Sequence, residues 1–188
     1  MTFYRSGAGY TRAFTPAFLT PHFPPDMIEI SERIEVPASP ATVWDLLSHP
    51  TAVVECVPGA TIGEPHEDGS FDGSLLVKFG PAKVTFRARI HLELDEQTMK
   101  GRVTARGKDN QGGTRFTAAT SFAVTEAEQT GSTILINGET EISGKLAGLV
   151  ESGAKIVIKR MTSDFAERLA ARVSGAAATA ESGNVQGA

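Results

Sequence analysis

From Ala60 to Ile142 apolar and polar residues alternate in long runs, and after Gly144 the period changes. Leu146, Val150, Ala154, Val157, Met161, Phe165 and Leu169 then step by three or four along one helical face. Period two gives a strand one apolar face, and a period near 3.6 gives a helix one apolar stripe. A chain that follows many strands with one long amphipathic helix must bury these faces against each other. The stripe predicts a helix of about 28 residues, ~42 Å at the standard rise, the longest element of the chain. Polar breaks at Glu67 to Gly69, near Gly80-Pro81, at Asp95 to Thr98, at Asp109 to Gly112 and around Gly131 divide the alternating region into six antiparallel strands.

Upstream, Ile28, Ile30, Ile34 and Val36 alternate with polar residues and predict a first strand. Ser39-Pro40 supplies an N-cap followed by proline at the first helical position, opening a helix through ATVWDLL. A second short helix starts near Pro50, and Pro58-Gly59 ends it because proline cannot continue a helix and glycine permits a reversal. The order is strand, two short helices, six strands and a long helix. It predicts an α+β fold with a seven-stranded curved antiparallel sheet wrapped around the C-terminal helix.

With 188 residues and 40% hydrophobic content the chain can bury one sizeable core, so one domain is expected, spanning 27–173. Residues 1–26 hold four prolines and irregularly spaced aromatics, and predict a disordered arm or an over-long start, with Met27 as the alternative first residue. Residues 174–188 are of low complexity and predict a flexible tail. No window approaches ~18 consecutive apolar residues, so no membrane-spanning helix is expected. A single cysteine cannot form an internal disulfide, which fits a reducing cytoplasm.

Four segments carry a resemblance: VPASPATVWDLLSHP, then Cys56-Val57-Pro58-Gly59-Ala60, then Phe79-Gly80-Pro81-Ala82-Lys83-Val84-Thr85-Phe86, then Gly144-Lys145-Leu146-Ala147. Together they resemble the carbon monoxide dehydrogenase G-subunit family, within the START-like (helix-grip, polyketide cyclase/lipid transport) superfamily. The resemblance covers about residues 27–173. It implies a helix-grip fold and an accessory protein of a molybdenum-containing hydroxylase. It also implies a role in handling a quinone or other apolar ligand, or in linking the enzyme to the membrane by peripheral contact. Some relatives carry a C-terminal membrane-associating extension, and the tail after Val173 has no matching stretch, which speaks against direct anchoring.

Chemistry-bearing residues are few. Cys56 ends an apolar turn with no histidine or lysine near it in sequence, and such a thiol is more often a buried small hydrophobe than a nucleophile. Ser152-Gly-Ala-Lys155 matches S-x-x-K but has no companion K-T-G or S-D-N, so chance explains it better. His22, His49, His66 and His91 do not fall at metal-ligand spacing. No phosphate-binding glycine loop or nucleophile elbow is present. No catalytic residue, metal or cofactor is expected.

The inward parity of the strands is more informative. It collects Phe86, Ala88, Ile90 and Leu92; Met99, Gly101, Val103 and Ala105; Phe116, Ala118, Thr120 and Phe122; and Ile134, Ile136, Gly138 and Thr140. Small residues recur there and on the helix at Gly148, Gly153 and Ala154. Close-packed interiors hold few voids larger than water. Either a cavity lies under the helix or the helix approaches the sheet closely. The cavity reading takes Phe86, Ala88, Ile90, Val103, Ala105, Phe116, Ala118, Thr120, Ile136, Gly138 and Thr140 from the sheet, with Leu149, Gly153, Val157 and Met161 from the helix. Thr120 and Thr140 supply inward hydroxyls to orient an apolar ligand.

On the outward parity, Arg87 and Arg89 lie on one strand and Lys100, Arg102 and Arg106 on the next, a basic face on a chain of net charge -4. A solvated strand face explains it simply. The functional alternative is steering of an acidic partner or lipid headgroups. Nucleic acid is disfavoured because no aromatics interleave the cations. Three functions stand: a non-enzymatic ligand-binding accessory protein, an enzyme of the cyclase or lyase type using the same cavity, and a maturation chaperone for the hydroxylase.

Overall fold

The computed structural model describes residues 27–182, so the expectations for residues 1–26 and 183–188 lie outside the described residues. The first strand β1 (Met27–Val36) leads into helices α1 (Pro40–Leu47) and α2 (Pro50–Cys56). Six strands follow: β2 (Ala60–Pro65), β3 (Phe71–Phe79), β4 (Ala82–Asp95), β5 (Lys100–Asp109), β6 (Thr114–Glu126) and β7 (Ser132–Gly144). Helix α3 (Ala147–Ser182) closes the described chain. All seven strands form one curved antiparallel sheet in the order β1-β7-β6-β5-β4-β3-β2, so only β1 departs from sequence order.

The helix starts are set by local chemistry. The amide of Thr42 donates to Ser39 Oγ at 3.2 Å, and Pro40 occupies the first turn of α1. After α2, Gly59 adopts φ +80°, and a Cβ there would stand 2.8 Å from the Leu76 carbonyl oxygen. Only glycine lets the chain reverse so close to β3. Pro58-Gly59 therefore divides α2 from β2 and lets β2 dock along β3.

At 36 residues α3 is longer than the stripe predicts, and it continues past the expected boundary at 173 through Ser182. The low-complexity segment has little to bury, yet it is rich in alanine, the best helix former, so propensity carries the helix on. The other end of α3 is tied to the β5–β6 turn. Lys145 donates its amide to the Gly113 carbonyl at 3.0 Å, and Leu146 donates its amide to Thr114 Oγ1 at 3.0 Å. Gly144 at φ +109° makes this approach possible, because a Cβ there would collide with the Gly113 carbonyl.

The buried side chains separate into two clusters at opposite ends of α3. One joins Val43, Trp44, Leu47 and Cys56 to Ile34, Val124, Ile134, Leu169 and Val173. The other joins Val77, Phe79, Val84 and Ile142 to Val150. Between them, α3 passes over the middle of the sheet.

Candidate ligand cavity

In that middle stretch Phe86, Ala88, Ile90, Ala105, Phe116, Ala118, Thr140, Val157 and Met161 are only half-buried, whereas both ends of the interface are closed. They surround an open cavity of about 380 Å³ whose further walls come from Ile28, Val54, Val57, Leu75, Val150, Ala154 and Ile158. A second apolar lobe of about 260 Å³ lies toward Phe165 and is lined by Leu47, Pro50, Val53, Leu92, Val103, Thr120, Phe122 and Ile136, among others. Val54 from α2 and Ile90 from β4 border both lobes, so they form the waist between them. Phe86 and Phe116 meet edge to face, centroids 5.5 Å apart, and brace one wall.

Of the sequence-derived residues, the structure brings Phe86, Ala88, Ile90, Ala105, Phe116, Ala118, Thr140, Val157 and Met161 to the first lobe. Val103, Thr120 and Ile136 it places in the second. Leu149, Gly153 and Gly138 fall outside both lobes. Leu149 is on the solvent side of α3, at 37% exposure, because the helix turns its other face to Val77 and Phe79. A Cβ on Gly153 would approach Phe79 Cδ1 to 2.8 Å, and one on Gly138 would approach Thr120 Oγ1 to 2.7 Å. Gly101 likewise accommodates the Phe122 ring. Gly101, Gly138 and Gly153 thus mark close packing, Gly148 faces open space, and Ala88, Ala105 and Ala118 border the void.

Sequence reasoning missed the contribution of α2 and β3. Val53, Val54 and Val57 are legible in the sequence only as the apolar turn around Cys56. Which of them faces the cavity depends on how α2 sits on the sheet. That seating is tied to α3: the Arg172 guanidinium pairs with the Glu55 carboxylate, and Arg168 Nη1 donates to the Glu55 carbonyl at 3.4 Å.

Cys56 itself is 2% exposed within the first core cluster. Burial pushes its thiol up from 9.0; the Arg172 guanidinium pulls the other way without overcoming it, and Glu55 and Arg168 contribute less. The thiol is held neutral and packs as a small apolar group. Among the described residues, no group of three His, Cys, Asp or Glu side chains is placed to hold a metal ion, and no helix is long and apolar enough to cross a membrane. Among the described residues, the hydroxyls that the strand parity directs inward at the lobes are those of Thr120 and Thr140.

The five outward cations do lie on β4 and β5, but three face carboxylates. Arg89 Nε donates to Asp72 Oδ1 at 3.0 Å. Arg102 stands opposite Glu93, and Lys100 opposite Asp95. Of the five, Arg89 alone forms an ion pair among the described residues.

A seven-stranded antiparallel sheet gripping a long C-terminal helix around an apolar cavity defines a helix-grip fold. Within it, the chain belongs to the carbon monoxide dehydrogenase G-subunit family (CoxG), whose profile matches residues 33–174. Solved structures share the fold. A conserved protein from Geobacillus kaustophilus superposes with a TM-score of 0.68 at 18% identity, covering 79% of this chain and 96% of its own. The Zhui aromatase/cyclase from Streptomyces sp. R1128 gives 0.53 at 14% identity, covering 79% and 95%. Norcoclaurine synthase from Thalictrum flavum gives 0.51 at 14%, covering 78% and 86%. No curated protein matches the chain.

Proposed function

We propose that this protein is a non-enzymatic accessory protein of a carbon monoxide dehydrogenase-type molybdenum hydroxylase, and that it binds a hydrophobic small molecule, quinone or lipid-like, between the sheet and α3. The observation that carries the reading is the half-buried, almost wholly apolar middle of the interface between two closed core clusters. Burying apolar ligand surface there yields roughly 25 cal/mol per Å² removed from water. Thr140 in the first lobe and Thr120 in the second supply the orienting hydrogen bonds, and Val54 with Ile90 sets the width between them. Family membership supports the hydroxylase system as the place of action.

Native mass spectrometry of the purified chain, with organic extraction and identification of what it releases, tests this. A retained quinone or lipid is the expected result. A chain that carries nothing and binds no added short-chain quinone overturns the reading, and conversion of the extracted compound into a product moves it to an enzyme.

A further inference from the structure

The outer face of the sheet is divided by charge. On β1 and β7 it presents Glu29, Glu139 and Glu141, with Glu29 directly opposite Glu139. On β4 to β6 cations predominate: Arg87 stands opposite Lys108, Arg89 opposite Arg106, and Arg115 opposite Lys108, while the acidic Glu93 and Asp95 are confined to the far end of β4, opposite Arg102 and Lys100. Like charges directly opposite each other destabilise a strand pair, so each half costs the isolated sheet stability. Between the halves, the middle of β6 turns Thr117, Ala119 and Ser121 outward, and two adjoining depressions of about 390 and 270 Å³ lie over it. Arg102 and Arg106 of β5 form one rim, and Glu139 and Glu141 of β7 form the other. The rims are two strand spacings apart, ~9.6 Å, and no ion pair joins them among the described residues.

A uniformly anionic partner, whether a lipid surface or an acidic protein, would satisfy the cations and be repelled by the three glutamates beside them. A surface that satisfies both halves carries the same two halves in reverse. We propose that this face is a self-complementary interface with a second copy of the chain, related by a two-fold axis running along β6. Such an axis exchanges the β5 and β7 sides. Glu141 and Arg106 both register on Thr117, so the operation sets Glu141 of one copy against Arg106 of the other, twice. Glu139 then faces the span between Arg102 and Arg106. The small residues of β6 let the long side chains of the rims meet without backbone collision. The contact uses the same patch on both copies, so it closes at a dimer. It does not depend on what the cavity binds.

Sedimentation of the full chain over a concentration series, at low and high salt, is the test, with Arg106→Glu and Glu141→Arg studied singly and together. The expected result is a dimer at low salt that weakens as salt screens the rims. Each single reversal raises the dissociation constant at least about tenfold, ~1.4 kcal/mol, and the double reversal restores it to within about threefold. Arg106→Gln, which removes charge without adding repulsion, gives an intermediate loss. A wild-type chain that stays monomeric at low salt overturns the proposal, as does a dimer indifferent to the reversals. Salt-sensitive binding of the monomer to phosphatidylglycerol vesicles would assign the cations to a lipid surface instead, and equally overturns it.

Discussion

Residue by residue, the site rests on a distinction between two kinds of small side chain. Gly101, Gly138 and Gly153 sit where Phe122, Thr120 and Phe79 press against the backbone, whereas Ala88, Ala105 and Ala118 border open space. The sequence shows both kinds only as missing volume. A glycine omits its Cβ because something already occupies that position, and the occupant is named by cross-strand register and helix position, which a string of letters does not carry. Cys56 was legible because it needed only its neighbours: an apolar turn with no cation close in sequence. The two arginines that do come near it, Arg168 and Arg172, arrive from α3 and leave its thiol raised by burial. Cys56→Ser is expected to lower stability by ~1–3 kcal/mol, the cost of an unpaired hydroxyl in an apolar setting, while binding of a short-chain quinone persists. Thermal melts with a binding titration check this. A folded variant that has lost binding entirely would make the thiol part of the site.

At the scale of elements, the strand alternation, the turns and the short helices were legible because each is a local pattern. The length of α3 was not, since its last turns follow alanine propensity rather than an apolar stripe. What holds the start of α3 in place is the β5–β6 turn, centred on Asp109. Burial alone would raise that carboxyl, but the amides of Thr114, at 2.6 Å, and Gln111, at 3.0 Å, together with Gly113, outweigh it and hold Asp109 below the ordinary value of 3.8. A carboxylate whose folded value is depressed contributes stability that is present above its unfolded value and lost as pH falls through the folded one. The melting temperature is therefore expected to drop as pH falls below about 4. Asp109→Asn should melt lower than wild type at neutral pH and show a shallower acid loss. Asp68 and Asp95 are also lowered, so it is the difference between the two profiles that isolates Asp109. Parallel profiles would show that this carboxylate does not anchor the turn.

For the whole molecule, two closed cores at the ends of α3 with an unfilled middle make the interface of helix and sheet a container rather than a packed core. The sequence carried the architecture in its change of period, and it carried most of the sheet wall in the inward parity. It did not carry the α2 wall, because the placement of Val54 over Ile90 is a tertiary fact. The proposed function requires that the space beside Ala118 is open and receives an apolar ligand. Ala118→Phe measures it directly, through the melting temperature of the ligand-free protein together with binding of a short-chain quinone. An open lobe predicts unchanged or raised stability with binding abolished, because the ring occupies the ligand's place. A close-packed site would instead lose about 1–3 kcal/mol or more to overpacking; that loss, or binding at wild-type affinity, would contradict the claim.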